Sequence, residues 1–270
     1  MRITRTLPIA VVTALALAAC GGGGDDDGAT SGADSDTIRV GALAVPAGDM
    51  LRFVSEELAA EEGLTVEFVE FSDYNTPNPA LTDGDIDANL FQNTTFMETY
   101  NEASGEDLIS VGEVYLPRMG LYSNDYASLD DLPDGASIAI PNDPTNEGRA
   151  LKLLAAHGLI EVTEEPITIG DITDNPRDIE FVEIENATLP QAVDDQDAAI
   201  VTAAFALPAG LSEDKMILAE ESDSEYYNVL STRAELADDP RVATLYELLT
   251  SDEMDQFIEE EYQGVIIPVE

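Results

Sequence analysis

Asn146 and Arg149 stand three residues apart in the run Ile140-Pro-Asn-Asp-Pro-Thr-Asn-Glu-Gly-Arg149, a spacing that places both side chains on one face of a helix. A guanidinium and a neighbouring amide together make a fork for a carboxylate. Asp143 or Thr145 can cap this helix, and Pro144 suits its first turn. Arg149 and Asn146 then lie close to unpaired backbone N–H groups and the positive end of the helix dipole, both of which favour an anion. The chemistry expected here is capture of a ligand's carboxylate. A surface ion pair with one of the many nearby acids is the competing reading for Arg149.

Other residues extend this pattern without making a catalytic one. Tyr74 follows a strand that ends at Phe71, Phe91 ends the next strand, and Asn228 lies on the later return crossing. In an open α/β sheet ligands bind beyond the carboxyl ends of strands. Aromatic walls would hold an apolar group there while amides hold a polar end. The single histidine, His157, falls in the last turn of its helix before Gly158, where it suits the helix dipole. The single cysteine, Cys20, lies near the N-terminus. No nucleophile elbow, His-Glu-x-x-His pair or Gly-rich phosphate loop occurs, so an enzyme is not expected, nor is a cofactor. Asp83-Gly-Asp-Ile-Asp87 comes nearest to a calcium loop but lacks its ligand pattern, so no metal is expected either.

The elements that must position these residues alternate. Thr37–Val45 reads as a strand, Asp49–Glu62 as an amphipathic helix stopped by Gly63, and Leu64–Phe71 as a second strand. Such a unit is parallel, and the class is α/β. Pro79–Phe91 and Pro190–Val201 each give a short helix, an acidic turn, Asp-Ala and an apolar strand, which suggests two lobes of similar wiring. Tyr226–Thr232 is suited to carry the chain back to the first lobe, so two crossings would form a hinge. The expected boundaries are 37–121 with 229–270 for lobe 1, and 122–228 for lobe 2. Helices over Pro240–Leu249 and Asp252–Tyr262 close the chain, with Val242, Leu245, Leu248 and Leu249 at helical spacing.

The N-terminus points to a compartment. Arg2 and Arg5 precede an apolar run from Leu7 to Ala19, and Leu17-Ala-Ala-Cys20 closes it with small residues, the pattern of a secretory signal. The run GGGGDDDGATSGADSD over 21–36 holds no large apolar residue and reads as a flexible tether. The chain carries 56 acidic against 11 Lys and Arg residues, for a formal net charge of −45. A surface that negative repels nucleic acid and anionic headgroups, so no nucleic-acid partner is expected.

Several of these stretches together resemble the NlpA-type lipoproteins, the methionine-binding components of ABC importers. Phe71-Ser-Asp-Tyr74, Leu81–Asn89, Phe91-Gln92, Met119-Gly-Leu-Tyr-Ser123, Ser128–Gly135, Ile140–Arg149 and Tyr227-Asn228 occur in family order between about Val40 and Gly264. The Pro-Asn-Asp-Pro-Thr-Asn-x-Gly-Arg run is the most diagnostic of them. Leu-Ala-Ala-Cys20 is similar to the bacterial lipoprotein signal. The resemblance implies a two-lobed periplasmic-binding-protein fold, type II-like, that closes on an amino acid. It also implies a lipid on Cys20, an extracytoplasmic position on the cell membrane, and a permease with its ATPase as partners. By the same resemblance Tyr74 and Phe91 sandwich the methionine side chain, Asn146 and Arg149 hold its carboxylate, and Asn228 binds the amino-acid head.

Three positions depart from the family. Asn93 stands where a histidine usually follows Phe-Gln, Thr202-Ala-Ala-Phe205 replaces a run that usually begins with Asn and ends with Tyr, and Arg118 stands where proline is common. Asn93 and Thr202 are therefore further expected ligand-binding positions whose chemistry differs from the family's. Exchanging an amide for a hydroxyl can leave a ligand group unpaired at about 1–3 kcal/mol, enough to change which ligand wins. Methionine or a related amino acid is expected, with a methionine-containing dipeptide, another apolar amino acid, or a tethered sensor or adhesin role as alternatives.

Overall fold

The computed structural model describes residues 36–269. The signal segment, Cys20 and residues 21–35 lie outside the described residues. Among the described residues no helix is long and apolar enough to cross a membrane.

The chain begins with the expected parallel unit: β1 (Thr37–Leu43), α1 (Ala47–Phe53) and β2 (Thr65–Phe71), with Thr37 in register with Thr65. The helix is shorter than the apolar pattern suggested, because Val54–Leu58 continues it as a wider π-helical turn. Helix α2 (Pro77–Thr82), β3 (Ala88–Asn93), α3 (Thr94–Ser104) and β4 (Leu108–Pro117) follow. The second lobe is built from β5 (Met119–Tyr122), β6 (Ser137–Pro141), α4 (Pro144–Ala156), the short β7 (Glu161–Val162) and β8 (Ile172–Asp174), β9 (Glu180–Ile184), α5 (Leu189–Ala192), β10 (Ala198–Thr202), α6 (Ala203–Ala206) and β11 (Met216–Ala219). Strand β12 (Asn228–Arg233) returns to the first lobe, which α7 (Pro240–Leu249), α8 (Asp252–Tyr262) and β13 (Ile266–Pro268) complete.

The two main sheets run β13-β4-β12-β3-β1-β2 and β11-β5-β10-β6-β9. Their centres are wired alike. In one, β2, β1 and β3 are parallel and β12 is antiparallel to β3; in the other, β9, β6 and β10 are parallel and β5 is antiparallel to β10. The helix, acidic turn and strand seen twice in the sequence become α2–β3 and α5–β10, the innermost parallel strand of each sheet. Every residue of β3 and β10 is buried, as befits strands covered on both faces. Strand β3 nevertheless carries polar side chains. Asn78, Asn89 and Gln92 hydrogen-bond one another at 2.7–3.2 Å, and Gln92 also reaches Ser231, so these buried amides are paired as burial requires.

The lobe boundary differs from the one read in the sequence. The first crossing is Arg118 alone, and Met119–Tyr122 already belongs to the second sheet, paired with β10. Extended chain runs almost unbroken from β4 into β5, so no turn residue marks the change of sheet. The return crossing lies between Ala219 and Asn228.

Apolar side chains fill three places. One core backs the first sheet against α1, α7 and α8, including Val242, Leu245 and Leu249. A second lies between the other sheet and α4. A third joins residues of both lobes, Leu43 and Phe91 with Ala199, Val201 and Phe205.

Helix α4 is anchored on the segment that precedes β8. Gly148 lies in its interior, where glycine ordinarily costs about 0.5–1 kcal/mol relative to alanine. The reason is close approach: a Cβ here would stand 2.4 Å from the Pro166 carbonyl oxygen. Beside it, the Glu147 carboxylate accepts from Ile169 N–H at 2.7 Å and is 2% exposed. Burial, with Glu183 and Asp143 nearby, pushes its carboxyl up to about 7, against the relief given by that N–H.

Two outcomes follow for α4. Gly148→Ala should destabilise the fold by about 1–3 kcal/mol through overpacking, read as a lower denaturant midpoint at unchanged slope. Because Glu147 in the folded state holds its proton above its ordinary value of 4.5, the folded chain binds more protons than the unfolded one between pH 4.5 and 7, and this group's contribution to stability falls as pH rises through that window. Thermal unfolding of Glu147→Gln should therefore match the wild type near pH 4.5 and exceed it above pH 7; a constant difference across the window would contradict this.

Candidate functional site

Helix α4 starts as its sequence indicated. Asp143, not Thr145, is the cap: its Oδ1 accepts from Asn146 N–H at 2.9 Å, and Pro144 occupies the first turn. The same carboxylate accepts from Asn146 Nδ2 and, at 2.7 Å, from Asn186 Nδ2. His157 caps the other end, with Nδ1 3.1 Å from the Leu153 carbonyl, and Gly158 follows at φ 74°. The helix thus directs Asn146 and Arg149 toward the seam between the lobes.

A cavity lies in that seam. Its polar boundary is Asn93, Asn146, Arg149 and Asn228, with Gln92 beside them; its apolar boundary is Tyr74, Phe91, Phe96 and Pro117. Phe91 and Asn93 come from the carboxyl end of β3, Asn228 from the start of β12, and Arg149 from the second turn of α4. Antiparallel pairing sets Asn228 directly opposite Asn93 on one side and Tyr115 on the other. Asn228 Nδ2 donates to the Tyr115 hydroxyl at 3.0 Å, and burial pushes the Tyr115 phenol well above its usual range. The free room is about 10 Å³, close to what one water molecule occupies. Entry of anything larger requires the lobes to part.

The apolar side is a ring cluster. Tyr74 stands 5.8 Å from Phe91, 5.9 Å from Phe96 and 4.8 Å from Phe205, and Phe91 meets Phe96 edge-on at 5.8 Å. Three of these rings come from the first lobe and Phe205 from the second, so closure of the lobes assembles the cluster. Burial holds the Tyr74 phenol up at about 12, although its hydrogen bond with the Thr202 hydroxyl, 3.2 Å away, works in the other direction. The site therefore meets a ligand with a neutral phenol.

The expected residues do not all stand alike. Tyr74, Phe91, Asn93, Asn146, Arg149 and Asn228 come together around the cavity. Thr202 does not bound it, and its hydroxyl is used on Tyr74 across the seam. Asn93 bounds it, but its Oδ1 also caps α3 by accepting from Phe96 N–H at 2.9 Å. Arg118 does not bound the cavity; its Nε donates to the Glu220 carbonyl at 2.5 Å and its Nη1 to the Gly264 carbonyl at 3.3 Å.

Arg149 combines the two alternatives left by the sequence. It is 2% exposed and bounds the cavity, yet it is also ion-paired, through Nε and Nη2, with both oxygens of Glu220. Nη2 donates further to the Pro117 carbonyl at 2.9 Å, and the Tyr226 ring lies 4.8 Å from the guanidinium carbon. The pair is buried, not a surface contact. Sequence reasoning missed Glu220, Tyr226 and Phe96. Only Phe96 left a trace, in the cap signal Asn93-Thr-Thr-Phe.

No group of three or more His, Cys, Asp or Glu side chains among the described residues is arranged to hold a metal ion. An arginine in the second turn of a capped helix, amides, and an aromatic cluster closed between two similarly wired lobes define a solute-binding protein of the two-lobed periplasmic type. Residues 38–270 match the NlpA lipoprotein family, and this chain belongs to it. The D-methionine-binding lipoprotein MetQ of Escherichia coli K12 is 35% identical over 262 residues, 94% of this chain and 93% of that one. Outer membrane lipoprotein 2 of Mannheimia haemolytica is 34% identical over 99% of each chain. Among solved structures, a nutrient binding protein from Burkholderia cenocepacia bound to methionine superposes with a TM-score of 0.81 at 36% identity, covering 86% of this chain and 100% of that one. The Escherichia coli and Burkholderia cenocepacia relatives are named as binding proteins, not as enzymes.

Proposed function

We propose that this protein captures methionine between its lobes as the receptor of an ABC importer, tethered outside the cell membrane by a lipid on Cys20. The observation that carries the reading is the cavity that joins Arg149 and Asn146, both on α4, to the rings of Tyr74, Phe91 and Phe96. One side suits a carboxylate and the other an apolar, polarisable side chain; a thioether sulfur interacts favourably with aromatic rings at about 0.3–1.5 kcal/mol.

Capture would run in a fixed order. The lobes part about Arg118 and the 220–227 crossing, the amino acid settles with its carboxylate toward Arg149 and Asn146, and Asn228 meets its head. Closure then buries the side chain among the rings and expels water. Binding energy realised only in the closed form shifts the population toward it, and the closed form is what a membrane permease would recognise. The relatives named for methionine and for D-methionine support the ligand class. A lipoprotein family and the Leu-Ala-Ala-Cys20 ending support the anchor.

Isothermal titration of the purified protein against L-methionine, D-methionine and a panel of other amino acids tests this. Saturable binding of a methionine enantiomer, at least tenfold tighter than of leucine or glutamate, is expected. Phe91→Ala should weaken it by about 1.5–3 kcal/mol, the value of burying one such side chain, which is about 10- to 150-fold in Kd. Tighter binding of a different solute, with methionine inert, would overturn the reading.

A further inference from the structure

Glu220 lies outside every motif that the sequence offered, and its contacts are unusually complete. Its Oε1 accepts from Arg149 Nε and from the Ser224 hydroxyl, both at 2.9 Å. Its Oε2 accepts from Arg149 Nη2 and from Met119 N–H, the latter at 3.0 Å. Its backbone N–H donates to the Met119 carbonyl at 2.9 Å, and its carbonyl accepts from Arg118 Nε. The residue is 8% exposed. Both hinge crossings thus meet at this one residue, Arg118–Met119 from the first and the start of 220–227 from the second.

The consequence falls on Arg149. A guanidinium has five N–H donors in a rigid fork. Nε and one edge of Nη2 are taken by Glu220, and Nη2 also serves the Pro117 carbonyl. Nη1 makes no hydrogen bond among the described residues. The Tyr226 ring covers one face of the fork, so the side chain has little freedom to turn.

We propose that Glu220 is the positioning residue for carboxylate recognition: it grips the Nε–Nη2 edge of Arg149, fixes the fork relative to the hinge, and leaves Nη1 as the edge that the ligand's carboxylate meets. The proposal rests on the amino-acid reading above. It also gives Glu220 a second effect. The Arg149–Glu220 pair is net neutral, so the site suits a ligand with one carboxylate balanced by its own ammonium and not a dianion. Loss of Glu220 frees the guanidinium to rotate and removes the aim of Nη1.

The test compares a ligand that has the carboxylate with one that lacks it. Affinities of the wild type, Glu220→Gln and the milder Ser224→Ala are measured for L-methionine directly and for L-methioninamide by competition. Glu220→Gln should lose about tenfold or more toward methionine, as expected for a charge-assisted contact, and less than about twofold toward the amide. Ser224→Ala, which removes only one support of the Glu220 carboxylate, should fold normally and show a smaller loss with the same preference. Equal losses for both ligands would reduce Glu220 to a structural role, and tighter methionine binding by either variant would make it a competitor of the ligand; each overturns the proposal. Failure of the wild type to bind methionine at all would instead overturn the functional reading on which it rests.

Discussion

A cation buried between two lobes must have a partner before any ligand arrives, and Glu220 is that partner for Arg149. Removing one member of a buried pair typically costs about 3–5 kcal/mol, because the other charge is stranded, whereas a well-packed apolar replacement of both is often neutral or better. Stability therefore does not explain the pair. Its position does: the carboxylate is tied by its own backbone and side chain to Met119 and Arg118, so the recognition group shares an anchor with the hinge. What the lobes do and how Arg149 is aimed are coupled through one side chain.

The rest of the molecule is arranged so that this coupling can operate. Each lobe has its own apolar core against its own helices, so parting the lobes does not unfold either one. The third cluster crosses the seam, and the ring of Phe205 from one lobe against Tyr74 from the other completes it. On the proposed opening these contacts would be lost and on closure remade, and a bound side chain among them would add apolar area buried only in the closed form. The excess of acidic residues is carried mostly outside these regions, with Glu147 and Glu220 as the buried carboxylates among the described residues.

Much of this was legible in the sequence, and the remainder was hidden for physical reasons. The parallel unit, the doubled helix-to-strand pattern and the terminal helices followed from apolar periodicity, because each has one buried face. The start of α4 was legible because caps and Pro at a first turn have few alternative uses. Glu220 was not: among 56 acidic residues, nothing local separates a buried counterion from a solvated one, and its partner lies 71 positions away. The crossing at Arg118 was hidden because β4 passes into β5 without a turn. Thr202 and Asn93 were placed near the site by resemblance, but the hydroxyl is taken by Tyr74 and the amide oxygen by the start of α3. A position in a pattern does not say which of its atoms are already engaged.

The central claim, that a pre-aimed guanidinium and a ring cluster receive opposite ends of one amino acid, is tested most directly by a crystal structure of the protein grown with L-methionine. The carboxylate is expected within hydrogen-bond distance of Arg149 Nη1, the thioether among Tyr74, Phe91 and Phe96, and the Arg149–Glu220 pair intact. Methionine bound elsewhere, or bound here with Glu220 displaced from Arg149, would contradict it.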